Sequence, residues 1–190
     1  MKIVKTDSQT QPRQRSPGPI PIDSRTAQAV SPILFPDGGQ YVGEILDGKR
    51  HGHGELIFAN GDRFVGKFFN DAMRTGKISY INKDLYKGEF LNDEKHGQGT
   101  YAFNDGTRYK GGFFGGLING PGELVYPNKD RYKGDFFKNQ KHGRGKFFFA
   151  NGDVQEGVFH NDQITADCKL KLSDKKIRPS KCSMDRGIPD

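Results

Sequence analysis

An all-β fold is what this sequence predicts, and three observations carry the prediction. Glycine supplies 26 of 190 residues, too many for helices, whose interiors lose roughly 1 kcal/mol for each glycine in place of alanine. Aromatic residues reach 12% although apolar residues as a whole make up only 33%, so rings rather than a thick aliphatic core must hold the fold. Polar turn signals such as ANGD at 59–62, NDGT at 104–107 and ANGD at 150–153 recur between short alternating runs, the mark of β-hairpins.

The 15 Phe and seven Tyr all lie between Phe35 and Phe159, which divides the chain in three. Residues 1–30, Pro-rich and without hydrophobic periodicity, are expected to be a disordered basic head. Residues 31–163 are the folded array. Residues 164–190 are expected to be a basic, mostly disordered tail in which 169–172 adds a short edge strand. Head and tail each carry +3 of the formal net charge of +7, leaving +1 for the array. A basic groove for nucleic acid is therefore not expected. Cys168 and Cys182 both fall in the tail and form no CxxC, which points to a reducing, cytoplasmic setting. No apolar run has the length of a membrane span.

Self-comparison shows a repeat of 22 or 23 residues. After a half-unit at 31–40, full units occupy 41–63, 64–85, 86–108, 109–131 and 132–154, with a partial one at 155–163. Each opens with aromatic-x-Gly: YVG, FVG and then YKG three times, followed by QEG in the partial copy. Further on comes HGHG at 51–54, HGQG at 96–99, NGPG at 119–122 or HGRG at 142–145, while the second unit keeps only Gly76. Each unit reads as one hairpin, and hairpins pairing edge to edge make a continuous antiparallel sheet.

The segment YKGEFLNDEKHGQGTYAFNDG resembles the MORN (membrane occupation and recognition nexus) repeat, and the chain resembles the small MORN-only type. The resemblance implies an elongated, twisted, single-layer antiparallel sheet of stacked hairpins that binds proteins, with phospholipid headgroups as the alternative ligand. It departs from the family's pattern in having no Trp at all, Phe or Ile standing in that column.

The residues themselves explain much of the pattern. Tyr41, Phe64, Tyr86, Tyr109 and Tyr132 form a structural ladder beside the glycine column Gly43, Gly66, Gly88, Gly111 and Gly134, where a missing side chain lets rings of neighbouring units lie over the strand. Gly52, Gly97, Gly120 and Gly143 are expected at positive φ in the turn. No helix follows any of these glycines, so a phosphate cradle is not predicted. His51, His96 and His142 hold one column, with Asn119 in the fourth place, and are read as structural groups bonded to turn backbone. Their spacing does not converge on a metal. His53 and His160 match no column and are read as solvated. Glu44, Glu89 and Asp135 are read as solvating charges. With Ser31 and Ser79 the only serines of the array and no nucleophile–base pair in view, neither catalysis nor a cofactor is expected.

Alternation places Leu46, Phe69, Leu91, Phe114 and Phe137 on the face opposite the ring ladders, a candidate partner-binding stripe. Lys87, Lys110 and Lys133 form a cation column that would serve lipid binding in the alternative reading. The expected function is a non-catalytic protein interaction scaffold or adaptor in a cytoskeletal, ciliary or flagellar assembly of the cytoplasm, the ciliary part resting on the resemblance. Its partner would be a helix or extended segment of another protein, with homo-oligomers forming through open sheet edges. The alternative is a peripheral module for anionic phospholipid.

Overall fold

Hairpin follows hairpin in the computed structural model, which describes residues 32–173 and 177–179. The chain divides into two units between Asn104 and Asp105. The first contains β1 (Ile33–Leu34), β2 (Gln40–Leu46), β3 (Lys49–Ile57), β4 (Arg63–Phe69), β5 (Ala72–Ser79), β6 (Leu85–Leu91) and β7 (Glu94–Ala102). The second contains β8 (Arg108–Phe114), β9 (Leu117–Val125), β10 (Arg131–Phe137), β11 (Gln140–Phe148), β12 (Val154–His160), β13 (Gln163–Lys171) and β14 (Ile177–Pro179). In each unit the strands lie in the sheet in chain order, every neighbour antiparallel. The described residues contain no helix, as the glycine content requires. The sheet runs past the boundary expected at 163, because β13 continues to Lys171. The expected head at 1–30 lies outside the described residues.

Two-residue turns join the strands of each hairpin, with both residues at positive φ: Asn70 and Asp71 at 47° and 70°, Asn92 and Asp93 at 51° and 63°, Lys138 and Asn139 at 48° and 68°. This is the primed turn whose twist suits a hairpin. The glycines expected in these turns sit elsewhere. Gly52, Gly97, Gly120 and Gly143 do have φ of 55°, 60°, 85° and 66°, but they lie within β3, β7, β9 and β11, at a bulge. Register shows it: Gly43 faces Gly54, yet Ile45 faces Arg50. A bulge needs the positive φ that glycine adopts without strain.

The core is a ring zipper over a glycine row. In the first unit Gly43, Gly54, Gly66, Gly76, Gly88 and Gly99 face one another strand by strand. The second continues the pattern with Gly111, Gly122, Gly134, Gly145 and Gly157. Over each hairpin's glycine pair lies that hairpin's own aromatic ring, not a neighbour's as the sequence suggested. A Cβ on Gly43 would stand 2.5 Å from both Tyr41 Oη and Gly54 Cα. Tyr109 and Tyr132 each then meet two phenylalanines edge-on: Tyr109 has Phe113 at 5.3 Å and Phe136 at 5.1 Å, and Tyr132 has Phe136 at 5.1 Å and Phe159 at 4.9 Å. Such edge-to-face pairs contribute about 0.5–1.5 kcal/mol each beyond the area they bury. Tyr41, Tyr86 and Tyr132 are fully buried. Their hydroxyls donate to the backbone oxygens of Glu44 (2.8 Å), Glu89 (2.8 Å) and Asp135 (3.1 Å), meeting the requirement that a buried O–H keep a partner.

Carboxylates clasp successive hairpins along both edges. On one edge Asp62 Oδ1 accepts the Ile81 N–H at 3.0 Å, Asp130 Oδ1 the Ala150 N–H at 2.7 Å and Asp153 Oδ1 the Ser173 N–H at 2.9 Å. On the other, Asp71 Oδ1 accepts the Arg50 N–H at 2.9 Å, Asp93 Oδ1 the Met73 N–H at 2.9 Å and Asp162 Oδ1 the Lys141 N–H at 2.8 Å. Thr107, itself buried, stands where the other turns have Asp, and Pro127 stands where the donor would be, with no N–H to give.

Two expectations follow. Thr107→Asp, although it restores the repeat pattern, lowers stability by about 1–3 kcal/mol because its buried carboxylate lacks a donor; adding Pro127→Ala recovers part of the loss. Urea midpoints of the single and double variants check this, and no recovery in the double would refute the clasp. The second concerns alkali. Burial raises the hydroxyl of Tyr41 from 10.0 to about 12 and raises Tyr86, Tyr109, Tyr126 and Tyr132 as well. A raised acid contributes stability that is full below the unfolded value and lost as pH climbs through the folded one. Unfolding free energy should therefore fall from pH 10 toward 12, with tyrosinate absorbance rising in step with loss of structure.

Candidate interaction face

Each first strand ends on a residue that points away from the ring zipper. These are Leu46 (47% exposed), Phe69 (49%) and Leu91 (41%) in the first unit, and Phe114 (64%) and Phe137 (48%) in the second. Large apolar groups with about half their area in water, at equivalent positions of successive hairpins, make a row within each unit rather than scattered exposure. They are held there by the alternation that buries Phe68, Phe90, Phe113 and Phe136 at the preceding residue.

The histidine column belongs to this face. The His51 ring lies 5.1 Å from Phe69, and His142 lies 5.8 Å from Phe137 and 5.0 Å from His160. The Nδ1 atoms of His51 and His142 are buried without a hydrogen-bond partner, so the expected bond to turn backbone is not made by these atoms. The imidazoles pad the apolar rows instead. His160 does have a column: it closes β12 at the position of Phe137 in β10. His53, read as merely solvated, has Nδ1 3.3 Å from Glu44 Oε1. Among the described residues no three His, Cys, Asp or Glu side chains gather to hold a metal ion.

Nor are Glu44 and Glu89 of the acidic column simply solvated. Glu44 Oε1 accepts the His53 N–H at 2.7 Å and Glu89 Oε1 the Gln98 N–H at 3.0 Å, each across the bulge of its own hairpin. The His53 backbone bond holds the Glu44 carboxyl below its ordinary value. The glycine of the bulge makes room for that carboxylate: a Cβ on Gly97 would come 2.7 Å from Glu89 Cδ. In the hairpin at 109–131 Gly112 replaces the acid, and nothing lies within 4 Å of a Cβ on Gly120. In the hairpin at 64–85 Lys67 replaces it and the bulge shrinks, Lys67 facing Thr75 and Phe68 facing Met73. The signal for this contact lay in the sequence, since the acid and the full HGxG are lost together at 64–85.

Lys87 is exposed on this face of the first unit, and Lys110 and Lys133 on that of the second. Their surroundings differ: Lys110 and Lys133 each face Glu123 in register, whereas Lys87 faces Lys77 and Thr100. At the end of the second unit Gln155 replaces the aromatic residue and Cys168 the glycine that would face Gly157. Cys168 is disulfide-bonded, which removes the sequence argument for a reducing compartment. Among the described residues no helix is long and apolar enough to cross a membrane.

A serial array of hairpins with a glycine row, an aromatic zipper and acid-filled bulges defines a β-repeat protein with an exposed apolar face. The MORN repeat matches residues 41–63, 86–108, 109–131 and 132–154, and the chain is a MORN-repeat protein. The hairpin at 64–85, whose bulge is reduced, falls outside the match. No curated protein sequence matches significantly. Among solved structures, the TCP domain of SAS-4 from Drosophila melanogaster, in complex with a proline-rich motif of Ana2, is 15% identical with a TM-score of 0.35, covering 87% of this chain and 97% of that one. The G-box domain of the microcephaly protein CPAP is 16% identical with a TM-score of 0.35, covering 78% and 96%. The TCP10 domain of Danio rerio CPAP with a STIL peptide is 14% identical with a TM-score of 0.26, covering 77% and 81%. Likenesses this remote define neither the ligand nor the partner of the present chain.

The bulge geometry predicts a difference between two glycines. Gly97→Ala and Gly120→Ala both meet strain at positive φ, but only the first displaces a carboxylate from a backbone N–H. Gly97→Ala should cost about 1 kcal/mol more, readable in denaturant midpoints; equal costs would mean that Glu89 contributes nothing.

Proposed function

We propose that the chain is a non-catalytic scaffold that docks a helix or extended segment of another protein on its apolar rows. One observation carries this reading: Leu46, Phe69, Leu91, Phe114 and Phe137 are each two-fifths or more exposed on the face that the core does not use. Covering such side chains stabilises a contact by up to about 1.5–3 kcal/mol each before the costs of association. The groups that could do chemistry are occupied by architecture. Tyrosine hydroxyls hold carbonyls, acids fill bulges or clasp turns, and His51 and His142 pack on rings. A cytoskeletal or ciliary assembly is the setting we propose, on the ground of the family resemblance.

Self-association is compatible with the same role. β1 pairs only with Gln40 and Tyr41, so among the described residues the outer edge of β2 from Val42 to Leu46 keeps unpaired backbone groups. Light scattering across a concentration series tests it. The lipid reading is less well supported, because Glu123 stands between Lys110 and Lys133 and weakens the field of that column.

The scaffold reading is tested by Phe69→Ser/Phe114→Ser/Phe137→Ser, compared with wild type for binding of partners found by proximity labelling in the native cell. Substitution of exposed side chains should leave the melting temperature within a few degrees, about the effect of 1 kcal/mol or less, while partner binding is lost. Unchanged binding by the folded variant would rule the rows out.

A further inference from the structure

We propose that the exposed patch of Lys67, Arg74, Lys77 and Lys87 beside Phe69 receives an acidic amphipathic segment of the partner protein. This rests on the scaffold reading and adds the chemistry of what is docked. Lys77 and Lys87 face each other in register, both exposed, an arrangement that destabilises a sheet when nothing neutralises it. Along that row the next residues are Val65 on one side and Thr100 on the other, so no carboxylate lies beside the pair. Lys67, which stands where Glu44, Glu89 and Asp135 stand in their hairpins, faces His53 and Thr75.

The nearby acids are already engaged. Glu55 takes Arg63 Nη2 at 2.7 Å, and Glu89 Oε1 accepts the Gln98 N–H. Among the described residues Lys67, Lys77 and Lys87 form no ion pair. The second unit also sets two lysines opposite each other, Lys133 and Lys146, but supplies acids on both sides: Glu123 lies between Lys110 and Lys133, with Oε1 3.1 Å from Arg131 Nη1, and Lys146 Nζ is 3.1 Å from Glu156. The excess positive charge is thus local to the second hairpin and the strand beside it.

That excess adjoins apolar surface. The Arg74 guanidinium lies over the Phe69 ring at 5.5 Å, and Val65 and Leu91 are exposed on the same face. Opposed residues in antiparallel strands stand about 4.5–5.5 Å apart, close enough for two ammonium groups to share one carboxylate. A ligand with carboxylates next to an aliphatic side chain would relieve the repulsion and cover Phe69 together. Glu55, Glu89 and Glu94 border the patch, which suits a peptide-sized ligand better than a flat anionic bilayer.

The test uses the full chain and two synthetic helical peptides, one with Glu along one face and Leu along the other, the second with Gln for every Glu, measured by fluorescence anisotropy. Vesicles of phosphatidylcholine with and without phosphatidylserine are run beside them by flotation. The Glu peptide should bind about ten-fold or more tighter than its Gln counterpart and weaken as salt rises. Lys77→Gln/Lys87→Gln should lose that advantage, while Lys110→Gln/Lys133→Gln retains it. Lys77→Glu should raise the melting temperature by relieving the like-charge pair. Equal binding of both peptides, abolished by Phe69→Ser, would overturn the acidic partner and leave the scaffold standing. Capture by anionic vesicles alone, binding of neither peptide, or equal effects of the two lysine pairs would also overturn it.

Discussion

Everything in this sheet depends on a ring lying flat over two facing glycines. A sheet without a second layer would ordinarily leave both faces wet, and its strands would have no core to choose a register by. Here the core is made within the surface of the sheet itself. The glycine row sinks the surface by the depth of a side chain, and Tyr41, Tyr86, Tyr109 and Tyr132 occupy the trough. Once the ring of Tyr132 is seated, its hydroxyl reaches the backbone three residues on, and its edges take Phe136 and Phe159. Register follows directly, because a one-residue slip would put a Cβ under every ring.

Departures from the repeat show that these contacts act as units. Where the tyrosine becomes Phe64, the hydroxyl, the acid and the wide bulge disappear together, leaving Lys67 and a narrower register shift. Where the acid becomes Gly112, the space over Gly120 is empty. Where Asp becomes Thr107, the donor it would have met is Pro127, and where the ring becomes Gln155, its glycine partner becomes Cys168. Each pair of changes removes both sides of one interaction, which is how a half-satisfied buried polar group is avoided.

Much of this was legible in the sequence, and the limits are instructive. Hairpin boundaries and the two ring columns follow from spacing alone, because aromatic-x-Gly and Asn-x-Asp recur at fixed intervals and a strand alternates strictly. The bulge was not legible as a bulge: HGxG next to a polar segment reads as a turn unless one knows that Asn92-Asp93 already closes the hairpin. The clasps were hidden for a different reason. Asp71 reaches Arg50 and Asp62 reaches Ile81, some 20 residues away, and the acids look like ordinary turn residues until the next strand is placed beside them. Histidine was read by its polarity, whereas in the fold His51 and His142 serve as flat rings.

The two faces therefore divide the work in a way the energetics enforce. The ring face can tolerate little change, since its residues meet one another across hairpins and every position serves two neighbours. The other face carries what the first does not need: apolar ends of strands, imidazoles between them, and lysines whose partners vary from hairpin to hairpin. Variation is cheap there, because an exposed side chain on a strand that is already pinned from beneath alters stability by only a few tenths of a kcal/mol. A repeat of this kind fixes its architecture on one surface and is free to write its binding preferences on the other. The hairpin at 64–85, which gave up the hydroxyl, the acid and the wide bulge, is the one that placed a lysine where the hairpins beginning at Tyr41, Tyr86 and Tyr132 keep a carboxylate.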